Sequence, residues 1–194
     1  GHVTTWYDQG GTNHAAQATA SSQPKIVESG VLVTEGGLPS INFPTEVSNL
    51  GIAHSDLYGQ VNLDSYYVTN ATGNEYVYPA LITYAYAYGM TAESSGAGST
   101  DYFYGSPYYY ANGTQITGTS GDIYTATSGG QKLVTHLLAN TTNSAWGTAS
   151  MNFGNYHNNT TYGFTGKLQE MIFFNNYKAI FRTGIEKNIN DAYT

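Results

Sequence analysis

The sequence predicts an all-β fold: two antiparallel sheets packed face to face, with one short helix at the C-terminal end. Three observations carry this. Charged residues make up only 10% of the 194-residue chain, while Gly (23) and Tyr (19) are abundant; few charges with many Tyr, Thr and Gly favour strands and tight turns. Short apolar or alternating runs recur between turn-forming clusters along the whole length. A helical repeat occurs at one place, where Ile185, Ile189 and Tyr193 recur every four residues.

In chain order, Val3–Gln9 is a β-prone run that ends in the turn Gly10–Asn13. His14–Ala20 is Ala-rich and is expected to be helical for about a turn, ended by Gln23-Pro24. Ile26–Val27 and Val31–Val33 flank Glu28-Ser29-Gly30 as a hairpin. Glu35-Gly36-Gly37 is a further turn, and Leu38–Phe43 a strand closed by Pro44. Thr45–Gln60 reads as a loop in which His54 and Asp56 show no metal-ligand pattern. Tyr66–Thr69 and Glu75–Tyr78 are strands. So is Ala80–Gly89, where Tyr84, Tyr86 and Tyr88 line one face.

Thr91–Thr100 is a Gly/Ser-rich loop. Tyr102, Tyr104, Tyr108, Tyr109 and Tyr110 cluster around Gly105-Ser106-Pro107, which is expected to hold their rings outside regular pairing. Asn112-Gly113 is a hairpin signal, with Thr114–Thr117 returning from it. Gly118–Gly121 and Ser128–Gly130 read as loops around Ile123–Thr125. Lys132–Ala139 alternates as a buried strand, and His136 in it reads as a core histidine. Asn140–Gly147 is a polar loop that carries Trp146. Ser150–Gly154 is a short strand and Tyr156–Tyr162 a polar loop.

Leu168–Phe174 is the most strongly patterned strand. Strict alternation puts Leu168, Glu170, Ile172 and Phe174 on one face and Gln169, Met171 and Phe173 on the other. Both faces are apolar toward the end, as in a central strand covered on both sides. Glu170 reads as a structural hydrogen-bond acceptor; the sharper alternative is a catalytic or metal-binding carboxylate. Asn175–Arg182 connects to the helix, and Thr183 with Glu186 fits a capping box.

The formal charge of −7 comes with no basic run that meets phosphates, which argues against nucleic acid. No cysteine is present, so disulfides and thiolate metal sites are excluded. No apolar run approaches a membrane-spanning length. No Gly-rich loop carries Lys-Ser/Thr, and the histidines lack metal spacing.

Three segments go beyond fold class: VTTWYDQGGTNHAAQATASSQPKIV (Val3–Val27), GLPSINF (Gly37–Phe43), and FTGKLQEMIFFN with RTGIEKNINDAY (Phe164–Asn175, Arg182–Tyr193). Their order and spacing resemble the concanavalin A-like, laminin G-like jelly-roll domains of bacterial secreted proteins and phage structural proteins. The middle, Thr45–Tyr162, matches only in strand rhythm. The resemblance implies a single domain over residues 1–194 that acts without catalysis on an extracellular or virion surface. Relatives carry sequence before the Trp-Tyr-Asp-Gln motif, so a domain trimmed from a longer polypeptide is expected. Pro44-Thr45 stands where many relatives have an Asp-Gly turn. The clustered ligands of a calcium site are not visible, with Asp8 as a lone candidate, so no cofactor is expected.

Binding of a surface or polysaccharide glycan is the first functional expectation. Sugar C–H faces stack on aromatic rings, and Tyr adds a hydroxyl at low entropy cost. The candidate glycan-binding residues are Tyr102, Tyr104, Tyr108, Tyr109, Tyr110 and Trp146. The alternative is a virion structural domain, such as a head fibre, decoration protein or tail fibre tip, that acts through subunit contacts; such domains commonly form homotrimers. A glycoside hydrolase is the third reading. It needs paired carboxyls, and the Glu-x-Asp-x-Glu strand triplet of sandwich glucanases is absent, which leaves only a pairing such as Glu170 with Asp8. No catalytic residue is therefore assigned.

Overall fold

The computed structural model describes residues 1–52, 63–72, 80–82, 106–118, 120–139, 151–154 and 163–193. Its strands are β1 (Thr5–Trp6), β2 (Ala15–Ala16), β3 (Val27–Glu28), β4 (Val31–Leu32), β5 (Thr34–Glu35), β6 (Leu38–Pro39), β7 (Ile41–Phe43) and β8 (Leu50–Ile52). They continue as β9 (Leu63–Ala71), β10 (Ala80–Ile82), β11 (Ser106–Ala111), β12 (Thr114–Ile116), β13 (Lys132–Ala139), β14 (Met151–Phe153) and β15 (Gly166–Phe174). Two α-helices are described, α1 (Ser120–Thr127) and α2 (Arg182–Tyr193). The expected strands over Glu75–Tyr78 and Tyr84–Tyr88 lie outside the described residues, as do Tyr102, Tyr104 and Trp146. No described helix is long and apolar enough to cross a membrane.

The strands form an all-β sandwich. One sheet has the order β1-β2-β8-β14-β10, the other β12-β11-β13-β9-β15-β7, and every strand pair is antiparallel. The main core joins Ala15, Leu50, Ile52 and Phe153 of the first sheet to Ile41, Phe43, Tyr67, Tyr109, Val134 and Leu168 of the second. Phe153 stacks on Phe173 across the two layers, with ring centroids 6.1 Å apart. A second cluster lies on the outer face of the six-stranded sheet. There Tyr66, Val68, Leu133 and Leu137 pack against Ile185, Ile189 and Tyr193 of α2. This central sheet is therefore covered on both sides, as the two-sided apolar pattern of β13 and β15 requires.

Three hairpins form where turn residues predict them. β3–β4, β5–β6 and β11–β12 each carry positive φ at both turn residues, Ser29-Gly30, Gly36-Gly37 and Asn112-Gly113. That is the backbone of the tight turn that matches strand twist.

Six expectations are corrected. Leu50–Ile52, inside the run Thr45–Gln60 read as a loop, is a strand held between β2 and β14 with Leu50 and Ile52 in the core. Ala15–Ala16 is a strand between β1 and β8, with only a 3-10 turn at Ala20–Ser22, because seven residues cannot offset helix nucleation and a sheet edge is available. Ser120–Thr127 is helical where loops were expected to flank Ile123–Thr125. Ile123 anchors the helix in the core, and the Thr127 hydroxyl donates to the Ile123 carbonyl at 2.7 Å. Ser106–Ala111 is regular strand rather than irregular loop, paired with β13 along its full length.

The alternation of β15 is broken by a bulge. Leu168 pairs with Thr69 and Glu170 with the next residue, Val68, leaving Gln169 as the extra residue. Leu168 thus shares the inner face with Met171 and Phe173, while Ile172 and Phe174 face outward. Finally, α2 begins at Arg182, directly after a 3-10 turn at Ala179–Phe181, so Thr183 lies inside the helix and is no cap. Glu186 is buried against the sheet instead of closing a capping box.

Candidate functional site

The outer face of the six-stranded sheet is built from register. Tyr108 lies opposite Leu137, Leu137 opposite Asp64, and Asp64 opposite Phe174. The next outward row is Tyr110, Thr135, Tyr66 and Ile172. Period-two alternation sends Tyr108 and Tyr110 outward and Tyr109 inward. Tyr109 is buried and stacks on His136, with centroids 4.7 Å apart and planes 8° apart. It is a core residue, remote from any surface ligand. Tyr108 is 43% exposed.

Asp64 is fully buried, and its Oδ2 accepts the backbone N–H of Lys178. This bond turns the chain after β15 back over the outer face, where Tyr177 lies within electrostatic range of Tyr108. Burial raises the Tyr177 phenol above its ordinary value, and the neighbouring Tyr108, Asp64 and Tyr110 add to the rise. Tyr177 is 41% exposed. The ammonium of Lys178 lies 5.5 Å from the Phe174 ring centroid, an attractive cation–π arrangement. Ile180 and Phe181 extend the apolar surface, both exposed.

Tyr110 points outward one row further along β11. The Arg182 guanidinium carbon sits 3.9 Å from its ring centroid. Arg182 also donates to Glu186 Oε2, while the Thr135 hydroxyl donates to Glu186 Oε1 at 2.7 Å. Both oxygens of a buried carboxylate are thereby paired, which is the condition for a stable buried charge. One ring face of Tyr110 is taken by Arg182. The tyrosines open to a ligand here are Tyr108 and Tyr177.

At the other end of α2 lies a cleft of about 310 Å³ with Val68 and Leu133 as apolar lining. Asn112, Gln131, Asn190 and Tyr193 complete it. Asn112 Oδ1 accepts the Leu133 N–H at 2.9 Å. Burial, then the charge of Glu170 and hydrogen bonding to it, push the Tyr193 phenol up to about 12. Glu170 thus lies close to the end of the terminal helix. Asp8 lies in the loop after β1, in the other sheet, where its carboxylate accepts the N–H groups of Gly10 and Asn13. The two carboxylates do not share a face. Among the described residues no three His, Asp or Glu side chains converge as metal ligands.

Of the six residues expected to bind glycan, the structure places Tyr108 and Tyr110 on one face and Tyr109 in the core. Tyr102, Tyr104 and Trp146 lie outside the described residues. Sequence reasoning passed over Tyr177 and Arg182, both assigned to a mere connection. No protein-family model, curated protein or solved structure matches this chain.

Proposed function

We propose that this chain is a non-catalytic glycan-binding domain of the jelly-roll type, acting outside the cell or on a virion surface, and that it holds sugar on Tyr108 and Tyr177. The observation that carries the reading is two half-exposed phenols, Tyr108 and Tyr177, within electrostatic range of each other on a braced sheet. Stacking against pyranose C–H faces needs rings that are open to solvent yet fixed in place. Asp64 and the Arg182–Glu186–Thr135 network supply that rigidity without standing in the ligand's way.

The test is a glycan-array screen followed by titration of the best glycan. Tyr108→Ala and Tyr177→Ala each weaken binding by about 1–2 kcal/mol, roughly 5- to 30-fold. Far-UV circular dichroism of both variants stays that of the parent. Unchanged affinity in both refutes the platform. Loss in Tyr193→Ala with Tyr108→Ala silent moves the site to the cleft beside α2. No turnover of the glycan is expected, because Glu170 and Asp8 belong to different sheets and do not pair.

One observation favours the second reading, a virion domain working through subunit contacts. Ile180 and Phe181, 83% and 57% exposed, continue the platform as bare apolar surface. Light scattering at several concentrations separates the two: a stable trimer that Ile180→Asp dissociates supports subunit contacts, whereas a monomer supports the free binding domain.

A further inference from the structure

At the edge of the same outer face, Lys167 of β15 stands directly across from Asn70 of β9. Glu35, from hairpin β5–β6, reaches both. Its Oε2 accepts from Lys167 Nζ at 2.9 Å and its Oε1 from Asn70 Nδ2 at 2.8 Å. Lys167 Nζ is held further by the Thr34 carbonyl at 2.7 Å. The hairpin is pinned over this spot by Gln169, the bulge residue, whose amide donates to the Glu35 carbonyl at 3.0 Å. One carboxylate thus bridges a primary amine and a carboxamide that are cross-strand neighbours.

We propose that Lys167 and Asn70 become joined by an isopeptide bond, with Glu35 as the proton shuttle. Lys167 passes a proton to Glu35, and the freed lone pair attacks Asn70 Cγ. The Nζ–Cγ bond forms while the carbonyl π pair moves to Oδ1. Glu35 then protonates Nδ2, the Cγ–Nδ2 bond breaks, and ammonia leaves; Glu35 takes the surplus proton from Nζ and yields it to the departing ammonia. In sum, an ammonium and a carboxamide become a secondary amide and an ammonium ion. No oxidation state changes and no co-reactant is needed.

The resting state is the ion pair. Burial raises the Glu35 carboxyl, but hydrogen bonds from Lys167 and Asn70 and the charge of Lys167 outweigh it and leave it lowered. Proton transfer within the pair is therefore uphill, and the bond accumulates slowly in the folded protein. A second set of the same residues supplies an internal control. Lys25 bridges across to Asn42, Lys25 Nζ lies 2.7 Å from Glu28, and Asn42 is close enough to help lower the Glu28 carboxyl. Its carboxylate side chain is 48% exposed, against 17% for Glu35. Water holds that set in its charged forms more firmly, so Lys25 stays unlinked.

The experiment is the intact mass of the folded chain, followed over time at neutral and mildly alkaline pH. The expected mass falls below the sequence mass by one ammonia, and proteolysis yields a branched peptide joining the β9 and β15 segments. Lys167→Arg keeps the ion pair but lacks the nucleophile; Glu35→Gln keeps both reactants but lacks the shuttle. Both retain the full mass while circular dichroism shows the β fold. A wild-type chain that stays at full mass overturns the proposal whatever the variants do. So does an ammonia loss that persists in Lys167→Arg, as succinimide formation at Asn112-Gly113 produces, or a branch mapped to Lys25 and Asn42.

Discussion

One buried ring, His136, makes this domain sensitive to acid. The imidazole lies in the main core of the sandwich, 7% exposed and stacked on Tyr109. Burial alone pushes it down to about 3, from an ordinary value of 6.5. Between those two values the unfolded chain binds a proton that the native state refuses. Stability from the neutral ring is therefore complete above about pH 6.5 and is lost as the pH falls toward 3, where the loss levels off. At about pH 5 the unfolded state gains RT ln(1 + 10^1.5), or roughly 2 kcal/mol, and at about pH 4 roughly 3 kcal/mol. Against a total of about 5–15 kcal/mol for a typical domain, that is a large fraction.

The assay is urea unfolding of the parent and of His136→Phe at a series of pH values. Phenylalanine keeps a flat ring against Tyr109 and removes the titration. The other titratable groups are common to both proteins, so their contributions cancel in the difference. The parent loses about 2 kcal/mol more than the variant between about pH 7 and pH 5, with a limiting slope near 1.4 kcal/mol per pH unit. Parallel pH profiles refute the reasoning, because they require His136 to accept its proton inside the fold at no cost.

Removing Glu186 strands Arg182, whose side chain is 17% exposed, and leaves the Thr135 hydroxyl without its acceptor. Glu186→Ala is expected to cost about 2–3 kcal/mol in a urea melt, below the full cost for a completely buried pair. The paired Arg182→Met, Glu186→Leu variant recovers much of that loss. Gly166 has φ +145°, and an added Cβ falls 2.3 Å from the Asn70 carbonyl oxygen; Gly166→Ala therefore costs at least about 3 kcal/mol by the same assay. Gly184, inside α2 with nothing near its Cβ position, is the opposite case: Gly184→Ala stabilises by about 0.5–1 kcal/mol.

What was legible in the sequence was what local chemistry decides. Ser29-Gly30 and Asn112-Gly113 mark hairpins because few residues accept their backbone. The alternation of Lys132–Ala139 assigns Leu133, Thr135 and Leu137 to one face and Val134 and His136 to the other, as found. The misses have longer reach. An inserted residue such as Gln169 leaves no mark in composition yet inverts every later side chain of its strand. Thr183 and Glu186 keep capping-box spacing whether Glu186 caps or turns inward. The partner that decides it, Thr135, lies 51 residues away. Tyr177 looks like an ordinary connector residue until Asp64, 114 residues from Lys178, fixes the turn beside it. Pro107 argued against a strand at Tyr108–Tyr110. Yet β12 reaches only Tyr109–Ala111, so Pro107 lies where β11 has one neighbour among the described residues. A residue without an N–H is tolerated at such a place.

Scarcity of charge gives these long-range contacts a common origin. The chain has six basic and thirteen acidic side chains, too few to scatter over a solvated surface. Asp64, Lys167 and Glu170 are the charged side chains of β9 and β15, and each meets a covering segment. Asp64 holds the turn after β15, Lys167 holds hairpin β5–β6 through Glu35, and Glu170 lies by Tyr193 at the end of α2. Glu186 works in the reverse sense, carried by the covering helix and received by Thr135 of the sheet. An apolar face buries whatever lies across it without choosing a register, whereas a buried charge accepts few partners. The charges within the strands therefore specify where each segment docks. At one end of the sheet Asp64 makes that choice, and through Lys178 it fixes where Tyr177 lies.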